Sequence, residues 1–204
     1  MPVTPGTLFY GASTTKAFTA AAIALLISSG NYSNLNWDTP ISSIIRDDFV
    51  LLDPYFTDHV TIEDALSHRT GMPRHVRQIP FTEMLSFSMG ASELQNFRPF
   101  QELFEQYPNV LICRQDFSYG GVDENGQKRG VKDGVRSLRN LPLTAGLRTT
   151  FQYCNLMFVV ASHVVETLTG VWLGDVLKER IWVPLGMKST VCFFSIPFPC
   201  NYFA

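Results

Sequence analysis

The sequence predicts a mostly helical chain, on three observations. Met157, Val160, Ala161, Val164, Val165 and Leu168 keep helical spacing without a miss, and Gly170 ends the run. A second apolar stretch reads as a helix from Thr14 to Ser29 and stops at Gly30. Clear alternation of apolar and polar residues, the mark of a half-buried strand, is scarce over all 204 residues.

The elements follow in order. Gly11 permits a sharp turn, and Ser13 and Thr14 suit a helix cap before the apolar run to Ile27. Asn31 to Asp38 is polar and turn-rich, with Pro40 after it. Thr61 to Ser67 reads as a short helix, because Thr61 with Asp64 three residues on is close to a capping box. Gly71, Pro73, Arg74 and His75 form a loop, and the glycines between Gly120 and Gly134 suggest an exposed one. Lys132 to Arg139 has room for one or two helical turns before Pro142. Leu173, Val176, Leu177 and Ile181 mark a last amphipathic helix, stopped by Pro184 and Gly186.

Composition excludes several classes of function. A formal net charge of -2 gives no reason to expect nucleic acid or an anionic membrane as partner. The longest apolar stretch, Ala20 to Ile27, is too short to span a bilayer. No basic segment with a small-residue cleavage site opens the chain, so the reading is cytoplasmic by default. The four cysteines have neither zinc nor disulfide-framework spacing, so reduced thiols are expected. No cofactor is implied.

Ser13 and Lys16 carry the chemistry. Three residues apart, they share one helix face, where an amine can take the hydroxyl proton and activate a weak nucleophile. A helix N-terminus also offers free N–H groups to an oxyanion. A Ser–Lys pair needs a third group to pass the proton on, and Tyr153-Cys154-Asn155 offers one. A phenol beside an ammonium can act as a base, and an amide two positions on can hold the lysine and a substrate amide. Tyr-x-Asn also occurs at Tyr32 and Tyr107, but only the copy at Tyr153 precedes a strong amphipathic helix.

With these motifs in order, the chain resembles the serine β-lactamase and penicillin-binding-protein superfamily, in its class C-like branch. The matching blocks run from Leu8 to Ala20, from Thr61 to Pro73, through Phe151-Gln152-Tyr153-Cys154-Asn155, and through Ile181-Trp182-Val183-Pro184-Leu185-Gly186-Met187. The resemblance implies an α+β fold, an antiparallel sheet flanked by helices plus a helical domain, of which this chain holds the mostly helical part. It implies that Ser13 is the acylated nucleophile, Lys16 its activator, Tyr153 the general base and Asn155 a substrate and lysine ligand. The implied partner is a small-molecule ester, amide or β-lactam, with no metal.

Two departures accompany the match. No Lys-Thr-Gly or His-x-Gly triplet follows Tyr153, and only twelve residues precede Ser13. The resemblance implies that such a triplet lies on a sheet strand and completes the oxyanion hole. The expectation is therefore a truncated chain with impaired turnover, and the alternative a non-catalytic, mis-spliced fragment or pseudoenzyme.

The resemblance also lapses over 76–115 and 191–204, which leaves a partial domain over 1–190 with an interruption and an unrelated tail. Val76-Arg77 can be encoded by GTAAGA, Val191-Cys192 by GTATGT and Gln115 by CAG, which fits introns translated from a eukaryotic gene. A lid insertion is the competing origin, since Met84 to Tyr107 is amphipathic.

Blander roles are expected for the remaining polar residues. His68 reads as a hydrogen-bonded structural histidine, and His59, His75 and His163 lack metal-ligand spacing. The adjacent acids Asp47-Asp48 and Glu63-Asp64 read as solvated. Trp37, Trp172 and Trp182 read as core or core-edge anchors, and Cys154 as a small packing residue.

Overall fold

Helices dominate the computed structural model, which describes residues 9–73, 111–113 and 130–192. The chain divides into two compact units. The expectations for the amphipathic stretch from Met84 to Tyr107, for His75 and for the glycines from Gly120 to Gly126 lie outside the described residues.

The larger unit holds α1 (Thr15–Ser28) from Lys16 on, α2 (Ser42–Ile45), α3 (Pro54–His59), α4 (Ile62–Leu66), α5 (Val131–Arg136) and α6 (Asn155–Thr169). Helix α6 is its centre, with α2, α4 and α5 all packed against it. Its sequence explains that place. Leu156, Met157, Phe158, Val159, Val160, Ala161, Val164 and Val165 are all buried, so it is apolar over more than one face. Each large side chain so buried contributes roughly 1.5–3 kcal/mol. Gly170 ends the helix at φ 68°, a left-handed cap that costs glycine nothing, and its N–H donates to the Glu166 carbonyl at 2.8 Å.

Helix α4 begins with the capping box its sequence predicts. The Thr61 hydroxyl accepts from the Asp64 N–H, and Asp64 accepts from the Thr61 N–H. The expected turns before Pro142 are present as α5 and a 3-10 turn, Ser137–Asn140.

The smaller unit contains three short strands, β1 (Phe9–Tyr10), β2 (Leu111–Cys113) and β3 (Thr190–Cys192), in the order β1-β2-β3. Both pairings are parallel. The resemblance implies an antiparallel sheet, and the described strands differ from it. One hundred residues separate β1 from β2. No tight hairpin turn therefore dictates an antiparallel register. Helix α7 (Leu173–Leu177) runs into a π-helical turn, Lys178–Trp182, which buries Ile181 and Trp182 before Pro184.

Several expectations are corrected. Ser13 lies in a 3-10 turn, Ala12–Thr14, and the α-helix starts at Thr15, two residues later than a start at Ser13. Asp48 and Asp64 are buried, although their neighbours Asp47 and Glu63 are exposed. Each is paired with basic groups more than eighty residues away, which no local pattern reveals. Trp37 is exposed, whereas Trp182 is fully buried. Gly134, read as part of an exposed loop, is buried inside α5.

Candidate active site

Lys16 stands in the first turn of α1, directly after the turn that carries Ser13. Ser13 is exposed, and its turn is closed by the Thr14 N–H donating to the Gly11 carbonyl at 2.9 Å. The Lys16 ammonium lies 5.0 Å from the centre of the Tyr153 ring and 5.4 Å from that of Phe158. Both distances are within the range of a cation–π contact. The fold thus brings Lys16 and Tyr153 together. Asn155 is the first residue of α6, and its side-chain Oδ1 is buried with no hydrogen-bond partner among the described residues. An unsatisfied buried acceptor of this kind costs about 1–3 kcal/mol.

Tyr153 is held by the block from Thr61 to Pro73. Three backbone bonds join the two segments: Thr144 N–H to the Gly71 carbonyl at 3.0 Å, Arg148 N–H to the Arg69 carbonyl at 2.8 Å, and Gln152 N–H to the His68 carbonyl at 2.8 Å. Gly71 is required here. Its φ is +77°, and a Cβ would stand 2.2 Å from the Ala145 carbonyl oxygen.

Arg148 pins the same loop to α4. Its Nε donates to Asp64 Oδ1 at 2.8 Å and its Nη2 to Asp64 Oδ2 at 2.8 Å. Burial pushes the Asp64 carboxyl up, but hydrogen bonds from Arg148 and Thr61 and the Arg148 charge outweigh it and hold Asp64 below its ordinary value.

His68 completes the support. Its Nδ1 accepts from the Cys154 N–H at 3.1 Å, and its ring lies 4.5 Å from that of Tyr153 and 5.3 Å from that of Phe158. This is the hydrogen-bonded histidine the sequence suggests. Burial, and then the Lys16 charge, hold it below its ordinary value. Cys154 is buried, and burial pushes its thiol up despite opposing help from the Met157 and Leu156 N–H groups and Lys16. It is a packing residue, poorly suited to act as a thiolate.

Sequence reasoning missed Phe158 and Arg148. Phe158 stands three residues after Asn155, on the same helix face, and that spacing was a usable signal. No local signal marks Arg148. Among the described residues no three of His, Cys, Asp and Glu cluster as metal ligands. A surface depression of about 830 Å³, lined by Leu52, Phe56, Pro142 and Ala145 among others, contains none of the candidate residues.

The β-lactamase family model matches residues 1–195. The chain belongs to the β-lactamase family. Among family relatives, it is 45% identical over 189 residues to unguisins hydrolase ungD' of Aspergillus campestris, covering 92% of this chain and 28% of that protein. Unguisins hydrolase ungD of Aspergillus violaceofuscus is 42% identical, with 92% and 26% covered. The chain therefore spans about a quarter of the length of these relatives.

Solved structures of the same fold include D-amino acid amidase from Ochrobactrum anthropi SV3, with TM-score 0.57, 23% identity, and 92% and 38% of the two chains covered. Another is an octameric penicillin-binding protein homologue from Pyrococcus abyssi, with TM-score 0.56, 22% identity, and 92% and 33% covered. The described residues form a mostly helical part of this β-lactamase and transpeptidase-like fold. No single helix among them is long and apolar enough to cross a membrane.

Proposed function

We propose that this family hydrolase works by acyl transfer through Ser13, on a small-molecule ester, amide or β-lactam carbonyl. The observation that carries the reading is the Lys16 ammonium 5.0 Å from the centre of the Tyr153 ring. Lys16, with Tyr153, takes the Ser13 hydroxyl proton as Oγ bonds to the carbonyl carbon. The tetrahedral adduct collapses, the carbonyl–leaving-group bond breaks, and the departing amine or alkoxide receives that proton. Water, or another acceptor, then takes the acyl group from Ser13. Asn155 is assigned to bind the substrate and hold Lys16: its buried Oδ1 has no hydrogen-bond partner among the described residues, which leaves an acceptor open to either. The names of the two Aspergillus relatives, both hydrolases, support the reaction class.

The test is covalent labelling. The chain is incubated with a fluorescent penicillin or a p-nitrophenyl ester, and the adduct is located by peptide mass. The expected result is a single acyl group on Ser13, absent in Ser13→Ala. Labelling that survives Ser13→Ala would refute the assignment, and no adduct at all would favour the non-catalytic reading. Residues 76–115 and 191–204 are proposed to be translated introns, the first lying inside the matched span 1–195 and the second overlapping its end. A dominant transcript that keeps both segments in the mature message would overturn that origin.

A further inference from the structure

His68 touches the candidate site twice, by its backbone and by its ring. Its carbonyl accepts from the Gln152 N–H at 2.8 Å and its Nδ1 from the Cys154 N–H at 3.1 Å. The two donors flank Tyr153. The His68 ring then lies 4.5 Å from the Tyr153 ring, tilted by 39°, while Lys16 stands over that same ring. His68 itself is buried and adopts φ 59°, a left-handed conformation uncommon outside glycine. A bulky residue kept in that conformation points to a requirement on its side chain.

We propose that His68 is the positioning residue of the site, its carbonyl and Nδ1 clamping Gln152 and Cys154 so that Tyr153 is fixed against Lys16. The inference rests on the acyl-transfer reading for its effect on rate, but the clamp itself does not. Because Nδ1 accepts, neutral His68 carries its proton on Nε2. A second proton would occupy Nδ1, abolish the Cys154 bond and place a cation near Lys16. Among the described residues, the charged or titratable groups that face His68 are Lys16 from α1 and Tyr153 and Cys154 from the segment before α6. The His68 value is lowered, so the folded state favours the neutral ring. The clamp is complete above the ordinary histidine value of 6.5 and is lost as pH falls through the lower folded value.

The experiment compares the full chain with His68→Asn and His68→Leu. Asparagine offers an acceptor close to the Nδ1 position and tolerates positive φ, whereas leucine offers bulk without an acceptor. Hydrogen exchange at the Cys154 amide is read first. Protection is expected to fall about tenfold in His68→Leu, the loss of roughly one hydrogen bond, and to be retained in His68→Asn. In the parent chain protection should be lost only as pH falls below 6.5 and through the lower folded His68 value, and that acid loss should vanish in His68→Asn.

Ser13 acylation by p-nitrophenyl acetate, followed over a range of ester concentrations, is read second. The maximal acylation rate should drop about 100-fold in His68→Leu, as expected for a displaced base, with the half-saturating concentration little changed. His68→Asn should recover most of that rate. Unchanged Cys154 protection in a folded His68→Leu chain overturns the proposal. So does a folded His68→Asn chain that loses protection or fails to recover the rate. If His68→Leu does not fold, the Asn variant and the acid profile of the parent chain decide. A parent chain without any Ser13 adduct sinks the acyl-transfer reading, and the Cys154 amide then judges the clamp alone.

Discussion

Removing the Asp64–Arg148 pair should loosen the loop that delivers Tyr153, and the pair's strength can be worked from its geometry. Two N–H···O contacts of 2.8 Å join a buried carboxylate to a guanidinium whose side chain is 50% exposed. Fully buried, loss of one partner would cost about 3–5 kcal/mol. Exposed pairs contribute about 0.2–1 kcal/mol. With one partner half in water, a coupling of about 2 kcal/mol lies between these limits. Asp64 also accepts from the Thr61 N–H at 3.0 Å and donor hydroxyl at 2.9 Å, a cap worth about 1 kcal/mol. Asp64→Ala, which loses the ion pair and the cap together, should therefore destabilise by about 3 kcal/mol and Arg148→Met by about 2 kcal/mol.

The assay is a double-mutant cycle by urea denaturation of the parent, both single variants and the double variant. The sign of the pH effect follows from the lowered Asp64 value. Stabilisation is complete above the ordinary value of 3.8 and is lost as pH falls through the lower folded value. Coupling should therefore be present near neutrality and collapse in strong acid. A coupling below about 0.5 kcal/mol near neutral pH, in chains that all fold, would refute the reasoning, because a surface-type pair would then describe Asp64 better.

Two further predictions concern the same architecture. Gly71→Ala should cost about 2 kcal/mol or more, because a Cβ meets the Ala145 carbonyl at 2.2 Å and φ is +77°; a thermal melt within a degree of the parent would contradict this. Asp48 is buried and accepts from Arg136 Nε at 2.6 Å, with His163 Nε2 at 2.8 Å and Lys132 Nζ at 3.6 Å. Burial raises its carboxyl value, but the His163 and Arg136 bonds and the nearby cations lower it further than burial lifts it. Asp48→Asn should cost about 2–3 kcal/mol near pH 6, and the difference should shrink as pH drops below 3.8; equal urea midpoints near pH 6 would count against the network.

The residues that read clearly from sequence are those whose cause is local. The Thr61–Asp64 capping box needs only a spacing of three, and the α6 apolar pattern needs only helical periodicity. Gly170 stands where a left-handed cap is required, and it does so for reasons internal to its own turn. The Ser13–Lys16 spacing was legible for the same reason, although the turn at Ser13 proved to be 3-10, with the α-helix starting at Thr15.

Long-range pairing was not legible. Asp48 and Asp64 look like ordinary surface acids beside Asp47 and Glu63, because nothing nearby in sequence names Arg136, His163 or Arg148 as partners. The sequence by itself determined the long helices α1 and α6, the Thr61–Asp64 box and the Gly170 cap, because backbone hydrogen bonding and side-chain periodicity act over a few residues, while the short α2 and α3 went unread and the roles expected of Ser13, Lys16, Tyr153 and Asn155 came with the family resemblance. Only the tertiary structure decided that Tyr153 meets Lys16, that Gly71 must lack a Cβ and that His68 holds the segment in between. Those contacts depend on which surfaces of distant segments pack together, and burial then turns an ordinary carboxylate or imidazole into a group with one allowed partner and one favoured charge.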